Sequence, residues 1–230
     1  MCSRFHLLKR HLRQVYQRLG IPETRTDAAR FNIGPMAGIV AVKTDLQGTK
    51  KVGELRWGLP AAWGKGAPII NARAETVAEK PVFRDAVRHR RCIVPASGYY
   101  EWEKFGSARK PWLFRRKDQD VFGFAAIWSE VDDDTVACAV LTTAANEAMA
   151  SVHDRMPVTL APERWDAWLD PATSNPAALR PLMAPPDAGD WERYRVTPKV
   201  GNVRFEDAAC IAPYEESDEG EKGPQLSLGF

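Results

Sequence analysis

No stretch of this sequence approaches the roughly 18 consecutive apolar residues that a membrane-spanning helix requires. The opening MCSRFHLLKRHLRQ also lacks the apolar core and small-residue cleavage site of a secretory leader. A soluble, cytoplasmic protein is expected. Cysteine is scarce: four in 230 residues, at positions 2, 92, 138 and 210. None forms a CxxC pair, which argues against a zinc site, and nothing else marks a small, secreted, disulfide-stapled chain. Cys92, Cys138 and Cys210 lie in apolar stretches (RCIVP, TVACAVL and AACIAP), where a free cysteine serves as a small core residue. Internal repeats are absent. Helical and extended patterns do not alternate regularly, which excludes a doubly wound parallel sheet.

What is present suffices for one sizeable core: 44% of residues are hydrophobic, with eight Trp and nine Phe. A single domain over residues 1–213 is expected, followed by a disordered tail over 214–230. The tail carries five acids and one base, a net −4, so residues 1–213 carry +6 of the overall +2. The first thirty residues alone hold seven Arg or Lys against Glu23 and Asp27. That asymmetry suits a polyanionic partner without proving one.

Residues 5–19 place Phe5, Leu8, Leu12, Val15, Tyr16 and Leu19 at helical spacing, with Gly20 as the C-cap. The segments GIVAVK, VGELRW, RCIVP, PWLFRR, VFGFAAIW and TVACAVLTT read as short strands. Short helices are expected at Asn146–Ser151 and Pro162–Leu169. The fold class is therefore α+β: a single domain with a largely antiparallel, barrel-like β core and peripheral short helices.

Cys2 stands apart because of its position. Removal of Met1 would leave one residue bearing both an α-amine and a thiol. The α-amine has an ordinary pKa of about 7.7–8.0, so much of it is neutral and nucleophilic near pH 7. An aldehyde would first give an imine, and the thiol could then close on it to form a five-membered thiazolidine. By position alone an incidental terminal cysteine is the simpler reading.

The segments MCSRF, RFNIGP, RWGLPAAW, INARAET, RCIVPASGYYEW, LTTAAN, VHDRMPV and GNVR occur in an order and spacing that resemble the SOS response-associated peptidase family. The resemblance covers residues 1–213. It implies a protein that links covalently to abasic sites in single-stranded DNA, with no metal and no organic cofactor. Carried over to this chain, it makes Cys2 the nucleophile and Asn71 the residue that holds the Cys2 terminus by hydrogen bonding. Glu101 becomes the acid/base of imine formation and ring closure, and His153 the donor that favours the open aldehyde. Each has a bland alternative in isolation: a buried loop amide, an ion-paired carboxylate, a core histidine.

Arg4, Arg73 and Arg155 adjoin Cys2, Asn71 and His153 in sequence and are expected to hold phosphates. Trp63 and Trp102 are expected to stack on bases, and Pro35 to line the same groove. Two residues depart from the family pattern: Ser3 replaces a glycine, and Gly64 stands where many relatives have a second tryptophan. Near the C-terminus, Gln225, Leu226, Leu228 and Phe230 resemble a sliding-clamp-binding hexapeptide behind an acidic leader. A monomer is expected. Two other functions stay open at this stage: a peptidase acting on other proteins, and a non-covalent reader of modified or single-stranded DNA.

Overall fold

The computed structural model describes residues 2–23, 29–45, 47–61 and 66–215. The chain begins with strand β1 (Arg4–Leu7), helix α1 (Lys9–Leu19) and strand β2 (Arg30–Ile33), followed by the hairpin β3 (Gly38–Thr44) and β4 (Lys50–Trp57). A short strand β5 (Asn71–Arg73) and helix α2 (Pro81–His89) precede five long strands. These are β6 (Arg91–Ala96), β7 (Gly98–Phe105), β8 (Ala108–Arg116), β9 (Phe122–Glu130) and β10 (Val136–Ala144). The remainder is helix α3 (Glu147–Ala150), strands β11 (Arg155–Pro157) and β12 (Thr159–Leu160), helices α4 (Trp165–Leu169) and α5 (Pro176–Leu179), and strand β13 (Trp191–Arg195).

Two sheets result. One is ordered β13-β8-β7-β1-β2 and is antiparallel throughout. The other runs β11-β10-β4-β3-β6-β9-β12, and an added β9–β10 pairing closes β10, β4, β3, β6 and β9 into a ring. The expected barrel-like, largely antiparallel core is thus observed. Its exceptions are the parallel contacts that β10 makes with β4 and β5.

Alternation along the ring strands explains their nearly unbroken apolar sequences. Cys92, Val94 and Ala96 of β6, Phe122, Phe124 and Ala126 of β9, and Cys138 and Val140 of β10 face one core. There they meet Phe5, Trp57, Tyr99, Phe114 and Trp191. Ile93, Ala125, Ile127, Ala139 and Leu141 point the other way, to a second core with Val15, Phe83, Trp165 and Trp168. Successive side chains leave opposite faces of a strand, so a strand buried on both faces must be apolar at every position. Cys92, Cys138 and Cys210 are all fully buried, as their sequence surroundings suggest.

The helical reading of residues 5–19 needs a correction at its start. Residues 5–7 belong to strand β1, and the helix begins at Lys9. Phe5 stands three residues before Leu8, which fits a helix, and two before Leu7, which fits a strand. Cross-strand pairing with β2 and β7 decides in favour of extension. Gly20 caps α1 in the left-handed region at φ 65°, as expected. The segment 146–151 contains α3, with the Asn146 side chain accepting from Met149 N–H. Residues 162–169 form a 3₁₀ turn running into α4. Among the described residues, no helix is long and apolar enough to cross a membrane. Tyr214 N–H still donates to Arg195 O at 3.0 Å, so ordered contacts reach that residue. Gln225, Leu226, Leu228 and Phe230 lie outside the described residues, as does Trp63.

The two-faced packing leaves little slack. A Cβ on Gly123 of β9 would stand 2.2 Å from Ile93 Cγ2 and 3.0 Å from the Trp165 indole nitrogen. Overfilling a dense core typically costs ~1–3 kcal/mol, which in a domain of this size lowers Tm by roughly 2–4 °C per kcal/mol. Gly123→Ala is therefore expected to lower the melting temperature by several degrees in a thermal unfolding scan. An unchanged Tm would show that the packing between β6, β9 and α4 is looser than described.

Candidate active site

The antiparallel register of β1 with β7 pairs Arg4 with Tyr100 and Phe5 with Tyr99. Continued by two residues, that register brings the Cys2–Ser3 segment alongside Glu101 and Trp102. Cys2 is fully buried at the edge of the first core. From the other sheet, β5 runs parallel to β10, with Asn71 paired to Val140. Asn71 Nδ2 donates to Cys2 O at 2.8 Å, so a side chain from the second sheet fixes the backbone of the second residue.

Glu101 is 4% exposed. Burial pushes its carboxyl above the ordinary range, against the opposing pull of neighbouring positive charge that includes His153. Burial also raises the Cys2 thiol, and the nearby Glu101 charge adds to that rise. Each group thus senses the next: thiol, carboxyl and imidazole form one electrostatic cluster. His153 sits between α3 and β11, and its Nδ1 lies 3.0 Å from Arg155 N–H and 2.8 Å from the exposed Asp154 carboxylate. In the neutral ring Nδ1 accepts from the Arg155 amide, which leaves the hydrogen on Nε2. In the protonated ring Nδ1 donates to Asp154 instead.

Glu101, Trp102, His153 and Asp154 line one cavity of about 580 Å³ together with Ser3, Glu103, Lys104 and Arg109. Its lining is mainly polar, unlike a pocket built for an apolar ligand. Ser3, at the position of one family departure, therefore lies on its wall.

The expected phosphate ligands differ in their surroundings. Arg73 is exposed at the end of β5, two residues from Asn71. Arg4 donates to Asn32 Oδ1, Val200 O and Gly201 O at 3.3–3.4 Å, tying β1 to the carboxyl-terminal turns. Arg155 makes a bidentate pair with Glu75 at 2.6 and 2.9 Å and donates to Thr142 O at 2.6 Å. A phosphate at Arg155 would have to compete with Glu75, whose carboxyl this pair holds below its ordinary pKa. Pro35 is half-buried in the turn after β2.

A match to the family model "SOS response associated peptidase (SRAP)" spans residues 1–203. The chain belongs to the SRAP family. It is 38% identical to the abasic site processing protein YoaM of Bacillus subtilis over 79% of this chain and 83% of that protein. It is 29% identical to the abasic site processing protein YedK of Escherichia coli over 93% of this chain and the whole of that protein. A solved structure from Bacteroides thetaiotaomicron shares the fold with a TM-score of 0.80 at 23% identity, covering 93% of this chain and all of that one.

Several residues that shape this SRAP site escape a reading of the sequence. Trp112 of β8 pairs directly with Glu101 across the hairpin, and its Nε1 donates to Glu103 Oε2 at 2.9 Å. Arg193 of β13 lies 5.0 Å from the Trp112 ring and donates to Ala148 O and Ser151 Oγ. It thereby braces the loop that carries His153. Both residues stand in segments with no motif, and only the β7–β8–β13 register brings them to the site. Glu75 lies inside INARAET, yet its role as the partner of Arg155 depends on a contact 80 residues away.

Proposed function

We propose that this protein captures abasic sites in single-stranded DNA as a covalent adduct on Cys2, once Met1 has been removed. The observation that carries this reading is the convergence on Cys2 itself. Asn71 holds its carbonyl, while Glu101 and His153 face the same polar cavity beside it. The names of relatives such as YoaM and YedK, abasic site processing proteins, support it from a second direction.

The chemistry balances without a cofactor. With Met1 gone, the Cys2 nitrogen is an amine rather than an amide. It adds to the aldehyde carbon of the ring-opened sugar, and loss of water gives the imine. The thiol sulfur then bonds to the imine carbon. The π electrons pass to nitrogen, which takes up the proton that the thiol gives up. The sum is aldehyde plus aminothiol giving thiazolidine plus water. Every step moves a proton over a short path, which is the work of a carboxyl whose burial raises its pKa. In its protonated form His153, with Nδ1 held against the Asp154 carboxylate, suits donation of the Nε2 proton to the sugar oxygen as the ring opens. Arg73 is the best placed of the three predicted arginines to meet a flanking phosphate, and Trp102, on the cavity wall, to meet a base. Arg4 and Arg155 support the site chiefly by bracing it.

Mass spectrometry of the digested adduct tests the assignment. The expected product is the peptide Cys2-Ser3-Arg4 carrying the sugar remnant, with its thiol protected from alkylation. A remnant on a lysine, or a Cys2 thiol still open to alkylation within the adduct, would refute thiazolidine formation.

A further inference from the structure

Phe105 is 62% exposed, more than any other large apolar side chain among the described residues. It closes β7 at the turn into β8, next to Gly106 at φ 59°. Single exposed apolar residues are common on protein surfaces and need no explanation alone. This one sits in a particular company. Lys110 Nζ lies 4.3 Å from the centre of its ring. Lys104 and Arg109 pair opposite one another just below the tip, and both are exposed and line the cavity that holds Glu101. One hairpin therefore carries Glu101 at its base and, towards its end, Phe105 and Lys110 on one face with Lys104 and Arg109 on the other.

Strand alternation puts Glu101, Glu103 and Phe105 on one face. Four residues of strand separate Glu101 from the tip, roughly 14 Å, and stacked bases rise about 3.4 Å each along a strand. A single strand whose lesion lies at Glu101 can thus reach the tip within a few nucleotides. An aromatic ring interleaved with cations matches the two chemical faces of single-stranded nucleic acid, bases that stack and phosphates that repel one another. Such stacking tolerates any base, as a protein addressing lesions in arbitrary sequence requires.

The geometry points to the β7–β8 hairpin as a strand-gripping arm, in which Phe105, with Lys110 beside it, stacks on an unpaired base flanking the abasic site, while Lys104 and Arg109, on the other face where they line the cavity, take neighbouring phosphates. This subsite rests on the abasic-site reading for its register, and its test separates the two. Equilibrium binding is measured on oligonucleotides whose abasic site is a tetrahydrofuran analogue, which has no aldehyde, so that neither imine nor thiazolidine masks affinity. The oligonucleotides carry 2-aminopurine at one to six nucleotides on either side of the abasic site. Aromatic–base stacking predicts that Phe105→Ala weakens binding roughly five- to a hundred-fold. It also predicts a rise in 2-aminopurine fluorescence at one offset on one side only, reversed by Phe105→Trp. The double variant Lys104→Gln, Arg109→Gln should reduce the slope of log affinity against log salt by about 0.7 for each phosphate that is no longer neutralised. With Cys2 intact and an ordinary abasic site, the parent protein should give the adduct. Binding within two-fold of the parent, with fluorescence unchanged at every offset, would overturn the arm. Absence of any adduct with Cys2 intact would instead refute the abasic-site reading, while the fluorescence offsets would still report on the hairpin.

Discussion

Cys2→Ser is expected to abolish the heat-stable adduct while leaving imine formation in place. The substitution keeps the α-amine and nearly the same volume, so the packing of a fully buried residue and its carbonyl bond from Asn71 should survive. The serine hydroxyl closes on an imine far less readily than a thiol does. The imine would therefore persist, open to β-elimination and strand cleavage. Heated samples should show cleaved oligonucleotide in place of the slow band, and borohydride should rescue a crosslink by reducing the imine. A heat-stable band of wild-type yield from the serine variant would mean that sulfur takes no part in the linkage. Cys2→Ala keeps the amine too, and the same cleavage product is expected from it.

Glu101→Gln should slow adduct formation by roughly a hundred- to ten-thousand-fold, the range for removal of a positioned proton-transfer group. The variant keeps the shape of the side chain and the β7–β8 pairing with Trp112, so folding should change little. The pH profile separates a proton-transfer role from a structural one. As the proton acceptor, Glu101 works when ionised, so the rate should fall as pH drops through its pKa. Burial raises that pKa, which places the fall at a higher pH than an exposed carboxylate would give. In the glutamine variant this limb should vanish, leaving a low rate whose only fall in acid is the one that protonation of the Cys2 α-amine imposes. A glutamine variant that keeps the wild-type profile with only a lower Tm would assign Glu101 to packing alone.

Much of the architecture is legible in the sequence, and the reason is physical. GIVAVK, VFGFAAIW and TVACAVLTT are strands whose faces are both buried, so their apolar runs survive any local ambiguity. Gly20 announces a helix end because its left-handed φ favours the one residue without a Cβ. Residues 5–7 mislead because Phe5 fits a helical spacing with Leu8 and an extended one with Leu7, and only cross-strand pairing chooses between them. Strands β7 and β13 lack clear apolar alternation, since Glu101 and Glu103 share a face with the buried Tyr99, and Arg193 and Arg195 lie against the Trp112 ring.

The site divides in the same way. Cys2, Asn71, Glu101 and His153 are reachable through motif resemblance; Asn71 reaches the Cys2 carbonyl, and Glu101 and His153 share a cavity wall with Ser3. The bracing shell is not reachable. Trp112, Arg193 and the Glu75–Arg155 pair acquire their roles only from contacts between residues far apart in the chain. Arg155 shows why adjacency in sequence is a weak guide. It neighbours His153, yet its guanidinium turns to Glu75 and Thr142 while its backbone N–H faces the imidazole.

The most direct test is a denaturing gel of Met1-free protein with a single-stranded oligonucleotide bearing one abasic site, run after heating and without borohydride. Capture on Cys2 predicts a slow-migrating band that is absent with undamaged oligonucleotide and absent with Cys2→Ala. No such band, with Cys2 verified as the first residue, would contradict covalent capture.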